Sequence, residues 1–571
     1  MDMPENPIIG YLIGGGLKEN LRVRLTVSPQ EVQEGAFVVI ESGNWLYYGL
    51  VTDIQLGATD PRFADEYSEA RLPSPLARAL HGQTLYANLE VLTTLMLERG
   101  PEDPRDFARW QKEIDAGLRE PPHPLPIKNV PPHHAPVRLA TEGDIAEIFG
   151  KADEKKKSNF VIGHTREQGH PVRIDLKKLV QRSAGIFGAT GTGKSFLTRI
   201  VLAGLMKHKV ASVLVFDMHN EYAFDDVASD TNASVTGLKT LFGAQVQIVG
   251  LGAGADIRGK QPDFNLEIPM RAISPEDIEM LTRELNLKET TPTTLAALAH
   301  TFGERWFARF KRMNREQIEE TDENGKTHKE PHPDSVAAWA NANGVNVMAA
   351  EALHDKLRRL FDKSYIIEHP AQDGIAAIVK ALEAGKHVIL SFGNYESDLD
   401  YLLVSNLLTR HIRQEWEKRT NEHRTHGKGE PRPLVIAVEE AHKLLNREMA
   451  AQTTFSTIAR ELRKYYVTLL IIDQRPSQIY DEVMSQLGTR ISGWLGDDDD
   501  IRAVLSGLAG RDALRGMLAR LQPKEEVLLL GWGVPMPLPV RSRRYDDHFR
   551  KEISTVKIPD DPDALVKEIG Y

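Results

Sequence analysis

The sequence predicts an α/β fold: a parallel-type sheet covered by helices, a small β-barrel before it and a helical insertion within it. Three observations lead there. Apolar runs at 184–187, 210–216, 388–392, 434–438, 469–472 and 527–530 alternate with helical patterns, as strands buried on both faces do. The first hundred residues instead carry short strands divided by glycine-bearing turns. Between the runs at 210–216 and 388–392 lies a long stretch rich in alanine and leucine.

Taken in order, Leu21, Val23, Leu25 and Val27 alternate with polar residues, Phe37 to Ile40 is a short apolar run, and Trp45 to Val51 follows the turn residues Ser42, Gly43 and Asn44. This predicts a β-barrel over 1–100. Residues 101–150 read as a connection, because Pro121, Pro122, Pro124, Pro126, Pro131 and Pro132 lack backbone donors. His123, His133 and His134 among them have no acids at ligand spacing. A first part of the core spans 151–270, where the run ending in Phe187 enters a glycine loop and a helix follows with Leu197, Ile200, Val201 and Leu205 on one face. The insertion occupies 271–372. Ser274, Pro275 and Asp277 give it a helix start, and its pattern continues to about Phe361 around a polar loop, Glu319 to Asp334. The second part of the core is 373–545, and 546–571 is a tail.

Composition narrows the function. At 571 residues the chain exceeds the ~250–300 at which single cores stop growing. Lys and Arg total 71 against 81 Asp and Glu, a net charge of -10, so any contact with a polyanion must be local. No apolar run reaches the ~18 residues of a bilayer span, Met1 to Asn6 is polar and acidic, and cysteine is absent. The expectation is a cytoplasmic protein with no membrane partner, no disulfides and no thiolate metal site.

Gly188, Ala189, Thr190, Gly191, Thr192, Gly193, Lys194 and Ser195 fit G-x-x-x-x-G-K-[ST], with Phe196 next in the helix. Such glycines let successive amides face the β- and γ-phosphates, the helix adds its positive end, Lys194 a mobile charge and Ser195 a Mg²⁺ ligand. Glu439 and Glu440 close the strand at 434–438. One carboxylate is then turned to the metal and the next to the attacking water, and we assign Glu439 to the first and Glu440 to the second. Gln474, after the strand at 469–472, is a sensor candidate for the γ-phosphate or the water. Arg460 and Arg463, three apart on a helix predicted over 458–465, share a face from which an oligomer could offer an arginine to a neighbour's phosphate. Lys418, Arg419, Arg424, Lys428 and Arg432 read as a basic loop with His423 and His426, usually a solvated feature. Lys443 and Arg447, just past the glutamates, are the alternative candidates for local contact with a polyanion.

Together these residues resemble the HerA family, in the HerA/FtsK branch of P-loop ATPases. The matches are Arg182 to Ser195, then Asp217, His219, Glu221 and Tyr222, Glu439 to His442, Arg460 to Tyr465 and Gln474 to Ser477. Two positions depart from the pattern: Glu439 stands where Asp is commoner, and Asp473 where Thr or Ser is expected. The resemblance implies a RecA-like core that hydrolyses ATP with Mg²⁺, a homohexameric ring moving double-stranded DNA through its pore, and Arg182 facing the nucleotide. It also implies a partner, either a NurA-like nuclease in DNA repair or a sirtuin-like or nuclease effector in antiviral defence. A second function class is a ring-forming scaffold ATPase that assembles and activates such an effector. A third, a conjugation-type coupling ATPase, commonly brings a membrane anchor that this sequence lacks.

Overall fold

The computed structural model describes residues 7–59, 85–101, 103–151, 158–227, 234–321, 327–395, 397–427, 429–450, 455, 458 and 461–556. Its N-terminal unit is a barrel of β1 (Ile8–Gly16), β2 (Glu19–Leu25), β3 (Phe37–Ser42), β4 (Trp45–Ala58), β5 (Leu85–Glu98) and β6 (Pro136–Leu139). The strands pair in the order β2-β1-β6-β3-β4-β5, and a β2–β5 pairing closes the ring. One barrel strand, and a short strand Leu125–Pro126 that pairs with β5, therefore come from the proline-rich segment read as a connection. Proline suits the barrel strand, since Pro136 stands at its first position, where no ladder hydrogen bond is demanded of it. The same segment also holds a helix, Pro104–Asp115, capped by Asp103 with Pro104 in its first turn.

The run Phe37 to Ile40 lacks polar alternation for a physical reason. Side chains on a strand alternate faces; Val38 and Ile40 fill the barrel interior, while Phe37 and Val39 join the core of the larger unit. Both faces are covered, so both are apolar. Phe37 meets Phe149 edge-on at 6.1 Å, and the helix Glu142–Phe149 that carries Phe149 is locked by Asp144. That carboxylate accepts from Arg138 Nη1 at 2.7 Å and from the Thr141 amide at 2.8 Å.

The larger unit is a mixed sheet of β7 (Asn159–Thr165), β8 (Pro171–Asp175), β9 (Ala184–Phe187), β10 (Ser212–Asp217), β11 (Val246–Leu251), β12 (Phe264–Leu266), β13 (His387–Ser391), β14 (Leu434–Glu439), β15 (Val467–Asp473), β16 (Thr489–Ser492), β17 (Glu526–Gly531) and β18 (Leu538–Ser542). Its order is β12-β11-β13-β10-β14-β15-β9-β16-β17-β18-β7-β8. Pairings from β12 to β16 are parallel, and those from β16 to β8 are antiparallel. The parallel sheet expected from sequence thus holds for two-thirds of the strands and turns antiparallel at one side. Every residue of β10, β14 and β15 is buried, which is why these strands read as continuous apolar runs.

The insertion contains the helices Pro275–Glu279, Thr291–Phe302, Trp306–Arg312, Val336–Ala342 and Val347–Phe361. Ser274 and Asp277 form a reciprocal capping box, and buried Asp277 also accepts from Arg410 Nη2 at 2.6 Å, tying the insertion to the core helix Asp398–His426. The polar segment read as a loop pairs as a hairpin, Gln317–Thr321 with Thr327–Pro331. Its charged residues carry no apolar alternation to announce a strand.

The basic loop is also corrected. Lys418, Arg419, His423, Arg424 and His426 lie on the last turns of that 29-residue core helix, where Arg419 pairs with Glu415 at 2.9 Å and with Glu383 at 2.5 Å. Arg424 donates to the Lys464 carbonyl and Arg432 to the Lys209 carbonyl; Lys428 lies outside the described residues. A helix end this polar survives because Trp416 and Thr420 anchor one face in the core.

Asp144 offers a test of how the barrel is held to the core. Burial opposes its ionisation, but hydrogen bonds from Arg138 and Thr141 outweigh that and keep the carboxyl below its ordinary value. Replacing it by Ala leaves Arg138 with Glu41 as its remaining carboxylate partner and is expected to cost about 2 kcal/mol, seen as a lower urea midpoint. A group with a depressed folded pKa stabilises above its unfolded value and stops doing so as pH falls through the folded one. The gap between parent and Asp144→Ala should therefore be full at pH 7 and shrink below about pH 4.

Candidate active site

Parallel strands deliver their following loops to one edge of the sheet, the edge where α/β proteins bind ligands. Here that edge collects the loop after β9, Asp217 at the end of β10, Glu439 at the end of β14 and Asp473 at the end of β15. Because β15 lies between β9 and β14, whatever follows it stands between the glycine loop and the two glutamates. That residue is Gln474.

The glycine loop runs from Gly188 into α1 (Lys194–His208). Gly191 and Gly193 have φ of 77° and 83°, left-handed values that cost side-chain-bearing residues energy, and Gly193 is the N-cap of α1. Below the loop, Thr192 Oγ1 donates to the Ala189 carbonyl at 2.7 Å, and the Lys524 amide donates to the Thr192 carbonyl at 3.2 Å. Ala189, Thr190, Gly191, Gly193, Lys194, Ser195 and Phe196 face a cleft of ≈ 1110 Å³ opposite Glu439, Glu440 and Gln474. The loop at 188–195 and the glutamates at 439 and 440, far apart in sequence, are thus brought together.

A hydrogen-bonded bridge crosses this cleft. Thr190 Oγ1 donates to Gln474 Oε1 at 2.6 Å, so the amide must turn its nitrogen the other way, and Nε2 donates to both oxygens of Glu440 at 3.2 Å. Lys194 Nζ is 3.8 Å from the same carboxylate. Beside it, Glu439 is buried, with Oε1 accepting from the Tyr222 hydroxyl at 3.1 Å and its main-chain carbonyl accepting from Tyr401 at 2.6 Å. Burial, then the nearby charges of Asp217 and Glu221, push the Glu439 carboxyl well above its ordinary value. Burial likewise raises Asp217, although the amides of Tyr222 and Glu221 donate to it and oppose the rise. Asp473 goes the other way: burial would raise it, but His442 and the amides of Arg475 and His442 outweigh that and hold it low.

The structure leaves the arginines elsewhere. Arg182 precedes β9, at the sheet edge opposite the cleft, where it stacks 4.4 Å from the Trp532 ring. Arg463 is exposed on a 3-10 turn, Leu462–Tyr465, at the end of the predicted helix, and Arg460 lies outside the described residues. Lys443 pairs with Asp398 at 2.8 Å, and Arg447 is exposed.

Other cleft residues were not singled out in the sequence. Arg199 stacks near the rings of Phe196 and Tyr222, at 5.5 and 5.7 Å, and Lys524, Arg543, Arg544 and Tyr545 form the opposite wall. Two reversals explain that wall, because antiparallel β17 starts at the cleft edge and β18 ends there. The run Arg541 to Tyr545, with three arginines in five residues, was the available signal.

Residues 160–412 match the family described as "Helicase HerA, central domain". A "DNA double-strand break repair helicase HerA" of Sulfurisphaera tokodaii is 23% identical over 547 residues, covering 94% of this chain and 93% of that one. Its counterpart in Sulfolobus acidocaldarius is 24% identical over 544 residues, with 94% and 93% covered. Among solved structures, VirB4 of Thermoanaerobacter pseudethanolicus superimposes with a TM-score of 0.42 at 15% identity, over 69% of this chain and 98% of that one. Among the described residues no helix is long and apolar enough to cross a membrane. With the P-loop, the strand-end glutamates and a likeness to these relatives that runs nearly end to end, the chain is a P-loop ATPase related to the HerA helicases, with the HerA central domain over residues 160–412.

Proposed function

We propose that the chain couples ATP hydrolysis to movement along double-stranded DNA, as a homohexamer working with a partner nuclease at DNA ends. The observation that carries the hydrolytic part is the Thr190–Gln474–Glu440 bridge, which joins the phosphate loop to the carboxylate placed to receive a proton. The DNA part rests on relatives named as break-repair helicases that match the chain nearly end to end.

In this reading the amides of Gly188–Ser195 and the Lys194 ammonium hold the β- and γ-phosphates at the start of α1. Glu440 takes a proton from water as the water oxygen bonds to the γ-phosphorus, and the bond to the bridging oxygen breaks to leave ADP and phosphate. Gln474 orients that water and reports the γ-phosphate through Thr190. Ser195 and Glu439 fit a Mg²⁺ ion: Glu439 Oε2 is buried without a hydrogen-bond partner, as suits an acceptor turned toward a cation or its water shell. When bound, Mg²⁺ supplies positive charge that offsets the phosphate oxygens. Arg182 and Arg463 lie outside the cleft of their own protomer, so either reaches a phosphate only across a subunit boundary, as does Arg460 in this reading.

Two measurements test this. Lys194→Ala and Glu440→Gln should each lower ATP turnover by at least about 100-fold, with Glu440→Gln still binding nucleotide; parent-like turnover in either contradicts the assignment. Light scattering should give six chains per particle, and linear duplex DNA should raise turnover severalfold. A ring whose turnover ignores DNA, while a hydrolysis-dead form still activates a nuclease, would instead indicate a scaffold.

A further inference from the structure

Asp473 is one of the two positions at which the sequence departs from the expected pattern, and the structure shows what the acid does there. It is fully buried at the tip of β15 and collects donors from the turn that follows β14 and from its own turn. The His442 amide donates to Oδ2 at 2.7 Å and the Arg475 amide to Oδ1 at 2.7 Å. The His442 ring adds a third contact, Nδ1 lying 3.0 Å from Oδ2 and 3.2 Å from Oδ1. A carboxylate can only accept, so Nδ1 is the protonated ring nitrogen. That nitrogen is also 3.6 Å from Glu440 Oε2.

The turn needs such a clamp. Glu440 has φ of 47°, a left-handed conformation that a glutamate holds only where its surroundings impose it. On one side the Tyr401 hydroxyl pins the Glu439 carbonyl; on the other, Asp473 grips His442 through both backbone and ring. A serine or threonine at 473 offers one hydroxyl in place of two charged oxygens and could not accept from all three donors.

We infer that His442 and Asp473 act as a positioning pair, fixing the turn so that the Glu440 carboxylate faces the cleft. The inference rests on Glu440 being the proton acceptor of the proposed hydrolysis, and its test separates the two. His442→Ala should lower kcat for ATP at least tenfold while KM and ADP affinity stay within the parent's range. Asp473→Asn, which removes the charge that holds the ring, should do the same. His442→Asn, whose side-chain amide can still donate to Asp473, should recover most of the lost kcat. Parent-like kcat in His442→Ala, with Lys194→Ala inactive, overturns the pair and spares the site. Equal losses in both His442 variants together with weaker ADP binding make the residue merely structural and also overturn it. An active Lys194→Ala removes the site itself and the pair with it.

Discussion

Four carboxylates crowd the tips of three neighbouring strands, and the site depends on keeping them there. Asp217, Glu439, Glu440 and Asp473 are all buried, at a place where like charges in low dielectric repel strongly. Each has its own compensation. Asp217 takes two amides of the turn after β10, Glu439 takes the Tyr222 hydroxyl, Glu440 takes the Gln474 amide with Lys194 nearby, and Asp473 takes His442 and Arg475. The one acceptor left over, Glu439 Oε2, lies where a cation would relieve the repulsion. In the proposed reading, an electrostatic cost to the fold is thereby turned into affinity for a positively charged ligand.

The rest of the molecule supports that edge. The barrel shares a continuous apolar core with the sheet through Phe37, Val39, Tyr48 and Leu50, and the insertion is bound through Asp277 to the helix that also carries Tyr401. Since Tyr401 holds the Glu439 carbonyl, that helix touches both the insertion and the active edge. The antiparallel strands contribute the far wall, with Lys524 buttressing the glycine loop through its backbone.

Much of this was legible in the amino-acid sequence, for stateable reasons. Strands covered on both faces must be apolar throughout, so the runs that became β10, β13, β14 and β15 stood out, displaced by no more than two residues. The glycine loop showed because its backbone conformation demands particular residues at fixed spacing. What stayed hidden had polar or distant causes. The end of the helix Asp398–His426 and the strands Gln317–Thr321 and Thr327–Pro331 are rich in charged residues that carry no apolar period, and β6 was masked by the prolines around it. Arg182 could be placed only once the sheet order was known, and Lys524 to Tyr545 reach the cleft through reversals that no local pattern encodes. Asp473, which broke the expected pattern, made sense only when His442 was found beside it.

The central claim is that the edge built from β9, β14 and β15 grips a nucleoside triphosphate. Calorimetric titration of the folded chain with a non-hydrolysable ATP analogue and Mg²⁺ tests it without relying on turnover, DNA or a partner. The account predicts one analogue bound per chain, with uptake lost in Lys194→Ala; a folded parent that takes up none contradicts it.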